Sequence, residues 1–169
     1  MNYAEIKRYD IANGPGICTS IFFSGCRHHC KGCFNSIAQD FNYGKPFTQE
    51  VADEFIKNAT NDNIDGICIL GGEPLQQDLG ILLKFVYELK TKTNKPIWMW
   101  SGYTWEQIIT DPNKLLVLKY VDVLIDGKFE LEKRDLTLQY RGSSNQRIID
   151  VKASLKNNKK VIFYFTNRK

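Results

Sequence analysis

No apolar stretch of this 169-residue chain approaches the roughly 20 residues needed to cross a bilayer, and the opening MNYAEIKR lacks the apolar segment of a signal peptide. A cytoplasmic protein with no membrane part is therefore expected. There is no internal repeat, no low-complexity tract and no linker rich in Pro, Gly or Ser, which predicts a single domain over 1–169. A strong charge of one sign is missing too. The 23 Lys and Arg against 19 Asp and Glu give a formal charge of +4, too mild to imply a nucleic-acid partner, and none is expected. The one dense basic stretch, KNNKK at 156–160, reads as a solvated turn. With 43% hydrophobic and 25% charged residues, the composition excludes disordered, collagen-like and coiled-coil chains.

What is present is an alternation of strands and helices. Extended segments are expected at 3–9, 17–23, 64–70, 97–100, 121–125 and 161–165. Between them, Thr48 can cap a helix that places Val51, Ala52, Phe55, Ile56 and Ala59 on one face. A second helix is marked by Leu79, Leu82, Leu83, Val86 and Leu89 at helical spacing. Thr104 followed by Gln107 is a capping-box pattern for a short third helix, and another helical piece is expected over 114–119. Such alternation argues for a parallel sheet with crossover helices, either an open α/β layer or a partial (β/α) barrel. The segments 24–35, 71–74, 101–103 and 126–128 each follow a strand, which places them together at the carboxyl edge, where ligands bind in parallel sheets.

The five cysteines carry the chemistry, because a reducing compartment argues against disulfides. Cys18 and Cys68 lie in apolar runs and are expected to pack as buried thiols. Cys26, Cys30 and Cys33 instead crowd into one polar loop with C-x3-C-x2-C spacing. Three thiolates on such a loop supply three of the four ligands wanted by a zinc ion or a [4Fe-4S] cluster. In the zinc case His28 or His29 completes the set. In the cubane case one iron is left open to a small ligand bearing adjacent amino and carboxylate groups, and both histidines face solvent or a partner.

Cys26-x3-Cys30-x2-Cys33 together with Gly71-Gly72-Glu73-Pro74 resembles the radical S-adenosylmethionine (radical SAM) enzymes. The finer wording, SGC at 24–26, CKGCFN at 30–35, WMWSGY at 98–103, DGKF at 126–129 and RGSSNQR at 141–147, is similar to the glycyl-radical activase branch of that family. Gly32 departs from the general pattern, in which an aromatic residue often precedes the third cysteine, and Phe34 is the candidate to replace that ring.

The resemblance implies a fold and a chemistry. The fold is a partial, open (β/α) barrel of the radical SAM type, with parallel strands and outer helices. The cofactors are one [4Fe-4S] cluster on Cys26, Cys30 and Cys33, and SAM on its open iron. The residues implied to contact the cofactors are Gly32, Cys33, Phe34, Gly71, Gly72, Glu73, Ser101, Asp126 and Lys128. Among them Glu73 would offer a carboxylate to the SAM ammonium, while Ser101, Asp126 and Lys128 would meet the ribose, the methionine carboxylate or a cation. An electron from a reduced flavodoxin-like donor would split SAM into methionine and a 5′-deoxyadenosyl radical. That radical would take hydrogen from a glycine near the C-terminus of the large anaerobic ribonucleotide reductase subunit. Two other classes fit parts of the sequence: another radical SAM enzyme with a different substrate, and a zinc-stapled nucleic-acid-binding module that leaves the GGEP turn unexplained.

Overall fold

The computed structural model describes residues 1–163. Among them, β1 (Asn2–Asp10), β2 (Cys18–Ser24), β3 (Lys45–Pro46), β4 (Gly66–Gly71), β5 (Ile97–Ser101), β6 (Val123–Asp126) and β7 (Arg147–Asp150) form one sheet in the order β3-β1-β2-β4-β5-β6-β7. Five α-helices accompany it: α1 (Gln49–Ala59), α2 (Leu79–Thr93), α3 (Trp105–Ile109), α4 (Pro112–Leu118) and α5 (Val151–Lys156). None is long and apolar enough to cross a membrane.

The middle of the sheet is parallel, β2 beside β4, β4 beside β5 and β5 beside β6. Both margins are antiparallel, β3 and β1 at one edge and β7 at the other. This corrects the expectation of parallel strands throughout. The link between β1 and β2, residues 11–17, is too short for a crossover of a dozen or more residues, so the chain returns antiparallel. Residues 127–146 before β7 hold a single 3-10 turn, Leu131–Lys133, and no α-helix that could carry a crossover. Strand β7 and helix α5 occupy a stretch for which no element was expected. The expected strand at 161–165 is reduced to one bridge between Ile162 and Ile149, and its last two positions lie outside the described residues.

The helices start where the sequence offers caps. Thr48 Oγ1 accepts from the Val51 N–H at 3.4 Å, and Ala52, Phe55, Ile56 and Ala59 are the buried face of α1. Asp78 accepts from the Gly80 and Ile81 N–H groups at the start of α2, which ends at Asn94 in the left-handed conformation (φ 54°). Thr104 and Gln107 form the full capping box of α3.

Alternate residues of each strand point to opposite faces. Ile21, Phe23, Ile67, Ile69, Ile97, Met99 and Leu124 face the helices in the larger core, where the Phe85 ring meets those of Phe23, Phe47 and Phe55 with centroids 5.0–6.4 Å apart. Removing a ring so enclosed costs about 3–5 kcal/mol. Cys18, Cys68, Leu70, Trp98, Val123 and Ile125 face the other way, with Phe22, Trp100 and Tyr140 partly covering them. Among the described residues, no α-helix residue joins this second cluster.

Candidate functional site

The loop after β2 is shaped by glycine and pinned by backbone bonds. Gly25 adopts φ 105°, and its N–H donates to Ala38 O at 2.7 Å, while Cys26 N–H donates to Gln39 O at 3.0 Å. The Cys33 N–H closes a tight turn on Cys30 O at 3.2 Å. The turn after β4 is laid against this loop: Gly72 N–H reaches Phe23 O (2.7 Å) and Glu73 N–H reaches Gly25 O (2.9 Å). An added Cβ at Gly72 would lie 2.6 Å from Gly25 O, so only glycine lets the two loops approach this closely.

A cavity of about 470 Å³ opens between these loops and the face of the sheet that carries Phe22, Leu70 and Trp100. Of the sequence-derived site residues, Cys26, Cys30, Cys33, Phe34, Gly71, Gly72, Glu73 and Ser101 line it. Gly32, Asp126 and Lys128 do not. Gly32 is exposed at φ 70°, serving the turn rather than the cavity. Lys128 is exposed outside it, yet its charge favours the Cys30 thiolate. Burial pushes the Cys26 thiol up, opposed by the His28 N–H that donates to Cys26 Sγ at 3.4 Å. Burial also raises the Cys30 thiol, opposed by the Phe129 N–H and Lys128. Among the described residues, no three His, Cys, Asp or Glu side chains are grouped so as to hold a single metal ion. Cys18 and Cys68 are fully buried in the sheet, as expected.

Glu73 is fully buried, and its carboxylate is already satisfied. Oε1 accepts from the Leu75 N–H (3.0 Å) and the Ser101 hydroxyl (2.9 Å); Oε2 accepts from the Gly102 N–H (2.6 Å) and faces His28 Nε2 at 2.9 Å. The expectation of a carboxylate offered to a ligand ammonium thus meets one that ties three loops together. Asp126 is likewise enclosed: it accepts from the Trp105 N–H (2.6 Å) and from Arg147 Nε (2.9 Å), closing the start of α3 onto β7. Its side chain is occupied there, and Asp126 is not among the residues that line the cavity.

His28 was expected to face solvent or a partner, and it is largely withdrawn from solvent. Its side chain is 8% exposed, with the ring edge-on to Tyr103 at a centroid distance of 4.7 Å. Both histidines already have partners, since His29 Nδ1 is 3.0 Å from Gln39 Oε1. Only Gly102 signals this placement in the sequence, because a Cβ there would lie 2.4 Å from the His28 ring.

The chain matches the 4Fe-4S single cluster domain family over residues 12–149. It is 40% identical over 152 residues to the anaerobic ribonucleoside-triphosphate reductase-activating protein of Pasteurella multocida, covering 88% of this chain and 96% of that protein. The protein of the same name from Vibrio cholerae is 40% identical over 152 residues, covering 88% and 97%. That of Enterobacteria phage T4 is 38% identical over 150 residues, covering 88% and 93%.

Proposed function

The chain belongs to the family of anaerobic ribonucleoside-triphosphate reductase-activating proteins, within the 4Fe-4S single cluster domain family, and from this we propose that it is a radical SAM activase. Its substrate in this reading is the large anaerobic reductase subunit, on which it generates a glycyl radical in the cytoplasm with electrons from a reduced flavodoxin-like protein. The observation that carries the reading is the shared cavity: Cys26, Cys30 and Cys33 line it together with the Gly71-Gly72 turn.

The residues present fit a cluster with three protein ligands. Three partly exposed thiols line one cavity, the donor set such a cluster takes. The chemistry supplied by a bound [4Fe-4S] cluster is one-electron reduction of the SAM sulfonium, which yields methionine and a 5′-deoxyadenosyl radical. The chain itself orients and shields. Gly71 and Gly72 have no side chains to keep backbone from the ligand, and Glu73 fixes the rim around them. Trp100 and Phe22 line the cavity as an apolar wall against water. We read the sheet as an open partial barrel, with the face that carries the cavity admitting a flexible polypeptide segment.

Anaerobic reconstitution tests this reading. Brown protein holding iron and sulfide in equal amounts is expected, and Cys30→Ala should lose both, whereas Cys18→Ala and Cys68→Ala should keep them. Loss of iron on replacing either buried cysteine, as complete as for Cys30→Ala, would contradict the ligand set.

A further inference from the structure

We propose that Arg141 is the anion anchor of the cavity and binds the α-carboxylate of the methionine part of SAM, an assignment that rests on the SAM reading above. Arg141 is the one Lys or Arg among the residues that line the cavity. Its guanidinium is half-employed: Nη1 donates to Gln146 O at 3.0 Å, while Nε is buried with no partner. A buried guanidinium N–H left unpaired is costly, and a planar carboxylate is the group its fork matches best. The cavity offers no competing acid, because Glu73 has both oxygens engaged by the protein.

The segment that carries Arg141 is held firmly beside the cysteine loop. Trp100 Nε1 donates to Tyr140 O at 2.8 Å, and Gln146 Oε1 accepts from Gly142 N–H at 2.9 Å and Ser143 N–H at 3.2 Å. Gln146 Nε2 in turn donates to Gly127 O at 3.0 Å. An added Cβ at Gly142 would lie 2.9 Å from the Phe34 ring, so the residue after Arg141 rests directly on the residue after Cys33. The Arg141 side chain and the three cysteines thereby line the same cavity. This gives the 141–147 segment a binding role.

Equilibrium titration of the reconstituted protein with SAM and with decarboxylated SAM, which lacks only that carboxylate, separates the possibilities. Arg141→Gln should weaken SAM binding about tenfold to a hundredfold while shifting decarboxylated SAM by no more than about twofold, with iron content unchanged. Arg141→Lys should recover part of the loss. Equal weakening of both compounds, or unchanged SAM affinity in a folded, iron-loaded Arg141→Gln protein, overturns the assignment. Unchanged SAM affinity with weakened binding of the reductase chain would mean that the anion is a carboxylate of the polypeptide, and overturns it as well. Wild-type protein that holds its cluster and binds neither compound overturns the SAM reading itself.

Discussion

His28 Nε2 lies 2.9 Å from Glu73 Oε2, joining the middle of the cysteine loop to the turn after β4 across 45 residues of chain. Both side chains are nearly sealed from water, 8% and 1% exposed. The rim that carries the three thiols is thus tied together by contacts within the polypeptide.

Changes at this pair should therefore weaken the metal-free protein. His28→Ala removes one partner of a buried carboxylate, and Glu73→Gln replaces an acceptor oxygen by a donor facing the Gly102 or Leu75 N–H. Each is expected to cost about 1–3 kcal/mol in urea unfolding under reducing conditions. Losses below about 0.5 kcal/mol for both would show that the pair does not hold the rim.

Two glycines should respond in opposite senses to alanine. At Gly72 the new Cβ would sit 2.6 Å from Gly25 O and 2.9 Å from Ala38 O, backbone on both sides, so Gly72→Ala should displace the cysteine loop and lower iron uptake. At Gly80, in the first turn of α2, the nearest atom is Asp78 Oδ1 at 3.3 Å, and alanine should be neutral or stabilise by up to about 1 kcal/mol. Thermal melts and iron assays of the two variants check this, and full iron uptake by Gly72→Ala would contradict the close loop packing.

Arg147 pulls the Glu106 carboxyl down to about 2, with Lys160 assisting. A folded-state value below the ordinary 4.5 means that the folded protein favours the ionised form. The stabilisation is complete above about pH 4.5 and is lost as pH falls through about 2. Since the Glu106 side chain is 55% exposed, its size should stay below about 1 kcal/mol. The stability gap between wild type and Glu106→Gln should shrink as pH falls from 5 to 2, and a gap that widens over that interval would reverse the sign argued here.

Local signals in the sequence were enough for the elements whose cause is local. Thr48 and the Thr104–Gln107 box start helices by bonds within a few residues, and the C-x3-C-x2-C spacing marks its own loop. The antiparallel edges depend on how connections pack, and β7 is fixed by Arg147 meeting Asp126 and Glu106, 21 and 41 residues away. His28 and Glu73 find each other only when two parallel strands bring their ends together. Hence Glu73 and Asp126 show as acids in the sequence, while the groups that occupy them show only in the fold.

The central claim is tested most directly by mixing the reconstituted, reduced protein with SAM and the large anaerobic reductase subunit and recording the electron-spin resonance spectrum. The account predicts 5′-deoxyadenosine together with a glycyl-radical doublet, and no doublet when the reductase glycine is changed to alanine. An intact cluster and bound SAM that give no doublet with the natural reductase would contradict it.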